Sequence, residues 1–262
     1  MSALGGARVR GAMALVLVAI AGASCGDSNT GPDTPFSIQF NPPQLPSMLV
    51  GDQLHDTLGN IDSLHAITFN AAGDTIPNAT IRYVHADTTT VVNIDSVSGH
   101  VTANATGLAR VVAQASTLQS PPETLFVVQH PDLFSGLTHP IDTLDFSTAR
   151  RDSLFPLSVA LASASAPVDH WRIEYSFIYP AELNTPDSTR VLLSDENRKF
   201  SLVDTTGVGL TGVSGTARRF LRISALSHSF DDTVVVEARA FYPDHTVVPG
   251  SPLRFKVLVH IP

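Results

Sequence analysis

The sequence predicts an all-β protein in which two antiparallel β-sandwiches follow each other, after a signal peptide and a flexible tether. Apolar and polar residues alternate with a period of two in both halves of the chain, which is typical of half-buried antiparallel strands. Turn residues recur about every ten residues, the spacing expected of a sandwich. The apolar fraction is 43% and charged residues are 15% of the chain, a composition that fills packed cores. We therefore expect almost no helix after residue 25.

The segment at residues 1–24 has the pattern of an export signal. Arg8 and Arg10 supply the positive start, Ala12 to Ala21 is a short apolar run, and Gly22 to Ser24 are small residues. The apolar run of about ten residues is much shorter than the roughly 20 that a membrane-spanning helix needs. We expect a signal peptide here and not a transmembrane anchor.

Cys25 is the only cysteine of the chain, so no intramolecular disulfide can form. The segment Ile20 to Cys25 resembles the lipobox of bacterial lipoproteins, although Gly22 stands where that motif most often has Leu. The resemblance implies lipidation at Cys25 and a lipid anchor in the bacterial cell envelope, on the outer membrane or the cell surface. The alternative is an A-x-A site that would release a secreted protein after Ala23.

The remaining chain divides into a tether and two domains. Residues 25–35 are polar and contain Pro32 and Pro35, so we expect a solvated tether. The run Phe36 to Phe40 alternates with period two and begins a first sandwich at residues 36–130. We place the boundary at His130 to Asp132, and a second sandwich over residues 131–262.

The two predicted sandwiches share one short motif. The last strand of the first domain is entered through Ser120-Pro121, and the last strand of the second through Ser251-Pro252. This echo favours two related modules. We expect buried side chains at alternating positions of the strands in both domains: Tyr83, Val91, Ile94, Val101, Val111 and Phe126 in the first, and Trp171, Ile173, Val236, Phe255 and Val257 in the second.

The middle of the first domain resembles the group 2 family of bacterial immunoglobulin-like domains, over residues of about 49–129. The residues that carry the resemblance are the turn Gly73-Asp74, the alternating Ile81, Tyr83 and His85, and the turn-to-strand runs Gly99 to Ala103 and Gly107 to Ala113. Tyr83 stands where the family usually has Trp, and His85 where it usually has Ser. The resemblance implies an immunoglobulin-like sandwich used as a structural, adhesion or interaction module, here within a bacterial lipoprotein.

We find no pattern for catalysis, a cofactor or a metal. The ten histidines include no H-E-x-x-H, and the pair Asp195-Glu196 and the pair Asp231-Asp232 lack calcium-loop spacing. A calcium ion between the domains stays open. The segment Gly212 to Gly215 falls short of G-x-S-x-G because Thr216 follows Gly215. We expect the glycine-rich run Gly207 to Gly215 to be a flexible loop.

The net charge of −8 gives no electrostatic footprint for nucleic acid. The predicted partners are the membrane, through the lipid anchor at Cys25, and an unknown protein or glycan. We expect a module that is not an enzyme. One alternative is a carbohydrate-binding surface protein that uses exposed Tyr or Phe rings. The other is an enzyme whose site lies on loops of the second domain, around Asp204 to Gly215.

Overall fold

The computed structural model of the chain describes residues 31–145, 152–179, 191–194, 207–224 and 232–260. Every regular element within these ranges is a β-strand, which confirms the all-β prediction. None of the described residues forms a helix long and apolar enough to cross a membrane. The predicted signal peptide, Cys25, most of the tether and the acidic pair Asp195-Glu196 lie outside the described residues.

The first sandwich contains nine strands. Four of them form a sheet in the order β2-β9-β7-β4, with β8 added beside β7, and the others pair as β1-β3 and β5-β6. Their bounds are β1 Ser37–Asn41, β2 Ser47–Leu49, β3 His65–Phe69, β4 Arg82–His85, β5 Val92–Ile94, β6 Val101–Ala103, β7 Gly107–Ala115, β8 Leu118–Gln119 and β9 Glu123–Val128.

The described part of the second sandwich contains ten strands in two sheets. One sheet has the order β11-β19-β18-β14-β16, and the other has the order β10-β12-β17-β15 with β13 beside β12. The bounds are β10 Leu133–Gly136, β11 Ile141–Asp145, β12 Asp152–Ser163, β13 Ala166–Pro167, β14 Arg172–Tyr179, β15 Val191–Ser194, β16 Gly207–Leu210, β17 Thr216–Ser224, β18 Asp232–Ala240 and β19 Leu253–His260.

The two sandwiches share one topology. The strands of the sheet β2-β9-β7-β4 correspond one by one to those of the sheet β11-β19-β18-β14. In each, the second strand pairs in parallel with the last one, as β2 with β9 and β11 with β19. All other pairs of described strands are antiparallel, so the predicted antiparallel sandwiches are observed with these two parallel pairs in addition. After β1 and after β10 the chain crosses to the other sheet without reversing its direction. The next strand, β2 or β11, therefore runs parallel to the last strand of its sandwich.

The repeated Ser-Pro motif corresponds to the same hydrogen bond in both domains. The Ser120 hydroxyl accepts from the backbone N–H of Ala113 at 3.0 Å, and the Ser251 hydroxyl accepts from the N–H of Ala240 at 3.1 Å. Ser120 lies just before β9 and Ser251 just before β19. Both serines therefore occupy the same place in their domains. This supports the interpretation of two related modules.

The predicted core is confirmed in the second sandwich and partly wrong in the first. All five predicted residues of the second domain are buried, as are Tyr83, Val101 and Val111 in the first. Val91, Ile94 and Phe126 are only half-buried. Val91 and Ile94 still pack against the core of the first domain, whereas at Phe126 the neighbours Leu125 and Val127 face the core instead. A strand shifted by one residue exchanges its two faces, and alternation alone does not state which face is inward.

The glycine-rich run of the second domain is also corrected. Its first part, β16, pairs with β14 from Gly207 opposite Tyr175 to Leu210 opposite Arg172. A Cβ atom at Gly209 would lie 3.2 Å from the Tyr175 ring, so the glycine leaves room for that buried side chain. The run that we predicted as a loop therefore supplies an edge strand over the second core.

Candidate functional site: the junction between the sandwiches

The junction is built from rings of one sandwich packed on rings and backbone of the other. Phe126 of β9 stacks on His170, which precedes β14, with the ring centroids 3.6 Å apart and the planes inclined by 10°. Leu49 and Val128, both of the first sandwich, belong to the same buried cluster as Trp171. The second core therefore continues into the end of the first domain.

The connecting segment at residues 129–132 is held by Tyr242. The Tyr242 hydroxyl donates to the backbone carbonyl of Pro131 at 2.5 Å, and the His130 ring lies 4.9 Å from the Tyr242 ring. Burial raises the pKa of Tyr242, and the charges of Asp132 and Asp244 raise it further. The phenol therefore stays protonated and remains a donor at neutral pH.

A tight loop of the first domain, at residues 56–60, forms the other side of the junction. The Asp56 carboxylate accepts from the backbone N–H groups of Leu58 and Asn60 at 2.8 Å and from the Asn60 side chain at 3.1 Å. The hydrogen bond from the Asn60 side chain is the main cause that lowers the pKa of Asp56. Asp56 therefore shapes the loop through these three hydrogen bonds.

Gly59 allows this loop to approach the second domain. Its φ is +84°, and a Cβ atom there would lie 2.6 Å from the carbonyl oxygen of Pro243. Contact at that distance excludes every side chain. The facing turn is held by Asp244, which accepts from the Thr246 hydroxyl at 2.6 Å and from its N–H at 2.9 Å. Two structured loops thus meet backbone to backbone.

A cavity of about 60 Å³ lies between these loops and the start of β14. The first domain lines it with residues 45–47, Asp56 and Thr57, and the second with Trp171, Arg172, Glu174, residues 241–243 and His245. Its walls combine prolines and aromatic rings with a few polar groups. Ligand sites occur preferentially between domains, but they are usually several times larger than this cavity.

Two donors at this cavity have no acceptor. Trp171 Nε1 and Arg172 Nε are both buried, and neither has a hydrogen-bond partner among the described residues. The other end of the guanidinium is engaged, because Arg172 Nη2 lies 3.0 Å from Glu174 Oε1. Buried polar groups are normally hydrogen-bonded. Both nitrogens are enclosed by protein atoms, so neither is open to a molecule in the cavity.

A network of charges crosses the outer face of the sheet that contains β14. Glu237 is fully buried between Arg239 and Arg254, and Arg254 Nε donates to it at 2.9 Å. Burial raises the pKa of Glu237, but hydrogen bonds and charge from Arg254 and Arg239 outweigh it and lower the pKa overall. Glu237 is thus paired with both arginines.

None of the residues that we singled out from sequence as a site lies at the junction. Cys25, the predicted lipidation site, is outside the described residues. The described residues contain no group of three His, Cys, Asp or Glu side chains that could hold a metal, and this gives no support for calcium between the domains. Trp171 was predicted only as core. The unpaired indole N–H of Trp171 was not predicted from the sequence, because its surroundings include residues of both domains.

The fold defines the class of protein: an all-β protein with two β-sandwiches in tandem. Their main sheets share one strand order, β2-β9-β7-β4 in the first and β11-β19-β18-β14 in the second. No family model and no curated protein matches the sequence.

Several solved structures are similar over most of the chain. Domains 1–6 of the surface layer protein SbsC are 9% identical with a TM-score of 0.30, over 86% of this chain and 27% of that one. The Yersinia pseudotuberculosis adhesin InvE is 13% identical with a TM-score of 0.30, over 85% of this chain and 58% of that one. The D00-D0 domain of intimin is 12% identical with a TM-score of 0.29, over 85% of this chain and 98% of that one. Values this low carry no argument about function.

Proposed function

We propose that this protein is a lipid-anchored module of the bacterial cell envelope that serves as a structural, adhesion or interaction unit and is not an enzyme. In this proposal Cys25 carries the lipid, residues 25–35 form the tether, and residues 36–130 form a group 2 immunoglobulin-like domain. Residues 131–262 form the second domain, which presents the outer end of the molecule.

One structural observation supports this proposal: the chain enters and leaves the described tandem at opposite poles. Ser37 starts β1 opposite Phe69, and β9 ends with Val128 at the junction, so the chain crosses the first sandwich from end to end. In the second sandwich, β14 starts beside the junction cavity and β19 runs away from the junction, so Tyr179 and His260 lie at the far pole. A module with this layout holds its far pole away from an anchor at Cys25.

The packed junction supports the same function. A spacer transmits position only when its two units do not hinge freely, and interfaces between domains of one chain are often small and mobile. Here ring stacking, a Tyr242–Pro131 hydrogen bond and a shared core join the units. Trp171, Tyr175 and Phe177 are buried, whereas Tyr179 at the end of β14 is exposed. The buried rings cannot form a sugar platform, which weakens the support for the carbohydrate-binding alternative.

Mass spectrometry of the mature N-terminus in a bacterial host tests the anchor. We expect a diacylglyceryl-modified Cys25 in the membrane fraction, and loss of the modification in Cys25→Ser. An unmodified chain starting at Ser24 would contradict the anchor and favour secretion. Surface exposure is measured by antibody labelling of intact cells, and adhesion by pull-down of cell-surface components. Turnover of ester, peptide or glycoside substrates would contradict the non-enzyme proposal.

A further inference from the structure

The outer face of the sheet β11-β19-β18-β14 carries an exposed apolar row in the half that lies away from the junction. We propose that this row is the contact surface for a partner protein that brings apolar side chains and a carboxylate. The proposal gives a site to the interaction function proposed above, so it rests on that function but not on the lipid anchor.

The strand register places four side chains side by side across this face. Ile141 of β11 pairs with Lys256 of β19, which pairs in turn with Val235 of β18. Tyr179 of β14 pairs with Val235 on its other side. Residues directly opposite each other in neighbouring strands share one face of the sheet. That face is the outer one, because the residues next to Lys256 and Val235 along their strands are buried in the second core: Val234, Val236, Phe255 and Val257.

A β-bulge turns Tyr179 onto this face. Ile173, Tyr175 and Phe177 of β14 are buried in the second core, and strict alternation would send Tyr179 there as well. The register between β14 and β18 instead shifts between Phe177 and Tyr179, so Tyr179 lies opposite the outward Val235. A bulge re-aims a side chain in this way. The Tyr179 ring is therefore 53% exposed and does not pack in the core.

Exposed apolar surface continues from this row along β19. Ile141 is 63% exposed, and Val235 and Leu258 are half-buried. Leu258 follows Lys256 by two residues, so it points to the same face. We name the whole surface the outer-face patch: Ile141, Tyr179, Val235, Lys256 and Leu258. Contiguous exposed apolar surface on a soluble protein marks interaction sites.

The side chains of the outer-face patch fit a protein surface better than a small ligand or a sugar. Ile141, Val235 and Leu258 are aliphatic, and Tyr179 is the only aromatic ring of the patch. A sheet face is open, whereas small-molecule sites are concave. Tyrosine is enriched among the residues that contribute most to protein–protein binding. The patch therefore has the composition of an interface centre with Tyr179 as its anchor.

Lys256 indicates the charge of the partner. In the described part of the chain Lys256 has no ion pair. Arg254, two residues away on the same face, shares the Glu237 carboxylate with Arg239. Three cations thus surround one carboxylate here, and Asp145 ends β11 four residues beyond the row. A partner carboxylate would pair with Lys256, whereas a second copy placed face to face would oppose lysine to lysine.

The test selects ligands from a library. Random twelve-residue peptides displayed on phage are selected on the full chain carrying Cys25→Ser, and enriched peptides are synthesised and titrated. We expect peptides that combine large apolar residues with Asp or Glu and that shift the ¹⁵N-labelled backbone amides of Val235 and Lys256. Binding should be at least about tenfold weaker in Tyr179→Ser. Lys256→Glu should also weaken binding, and replacing the acidic residue of the peptide by Lys should restore it.

Matched variants locate the effect. Leu133→Ser is the control, because Leu133 is 51% exposed on β10, in the other sheet of the same domain. Circular dichroism shows whether each variant is folded, and Ile141→Ser takes the place of Tyr179→Ser if that variant unfolds.

Three results would overturn the proposal. They are the absence of enriched peptides, equal weakening in Tyr179→Ser and Leu133→Ser, and self-association in sedimentation velocity that Tyr179→Ser abolishes. The chain used in this test carries no lipid, and mass spectrometry of Cys25 measures the anchor separately. Failure of the patch is therefore distinguishable from failure of the proposed anchoring.

Discussion

Phe126 of the first sandwich and His170 of the second form a stacked pair, with ring centroids 3.6 Å apart and an interplanar angle of 10°. His170 holds this position with a φ of +53°, and its N–H donates to the carbonyl of Thr211 at 2.8 Å. Phe126 points away from its own core, where Leu125 and Val127 are buried. Its ring therefore serves the contact between domains and not the packing within one.

Replacing Phe126 by Ala should loosen the junction and leave the first sandwich folded. An aromatic pair contributes about 0.5–1.5 kcal/mol beyond its buried area, and this contribution is lost. Small-angle X-ray scattering should show a broader distribution of interdomain distances. Leu108→Ala is the matched control, because Leu108 pairs with Phe126 across β7 and β9 and is exposed. Equal scattering from both variants would show that the stack does not hold the domains.

Gly59→Ala should disturb the junction more than Gly73→Ala, although both glycines have a positive φ. Each substitution costs about 1 kcal/mol for an alanine in the left-handed region. Only at Gly59 does the new Cβ also meet backbone, 2.6 Å from the Pro243 carbonyl, because nothing lies within 4 Å at Gly73. Thermal unfolding measures the conformational cost that both variants share. The distribution of interdomain distances from small-angle X-ray scattering measures the additional effect of Gly59→Ala. If the two variants have the same profile, the loops do not touch in solution.

Trp171→Ala should lower the free energy of unfolding by about 3–5 kcal/mol, since the ring is 4% exposed and belongs to the second core. Trp171→Phe keeps most of the apolar volume and should cost much less. Urea denaturation followed by circular dichroism measures both values. A loss below about 1 kcal/mol for the alanine variant would place the ring outside the core.

Stability should fall as the pH is lowered below about 4.5, the ordinary pKa of the Glu237 carboxyl. The pKa of Glu237 is lower in the folded state, so the folded state binds fewer protons than the unfolded state in this range. The stabilisation is therefore complete above that pH and is lost as the pH falls through the folded-state pKa.

Glu237→Gln should be less stable at pH 7 by about 1–3 kcal/mol and should show a shallower loss of stability in acid. Chemical denaturation at pH 7 and at pH 3.5 measures both effects. Glu174→Gln is the matched control, because Glu174 is paired with Arg172 but is much more exposed than Glu237. A Glu237→Gln variant with an unchanged pH profile would mean that Glu237 does not carry this dependence.

The sequence by itself determined the all-β class and most of the second core. Alternation over β14, β18 and β19 is strict enough to predict Trp171, Ile173, Val236, Phe255 and Val257 as buried. It determined these features because strand periodicity and turn chemistry are local properties of the chain. It also contained the serine–proline echo, which became a repeated hydrogen bond at Ser120 and Ser251.

Only the tertiary structure decided which face of β9 is inward, where the second strand of each sandwich pairs, and what surrounds the Trp171 indole. Phe126 was predicted as core because alternation does not state which face of a strand is inward. In the structure its ring packs on His170 of the other domain. The cavity depends on Pro46 and Asp56 meeting Trp171 and Pro243, residues more than a hundred positions apart. Such contacts arise from the packing of two folded units, and a local pattern carries no information about them.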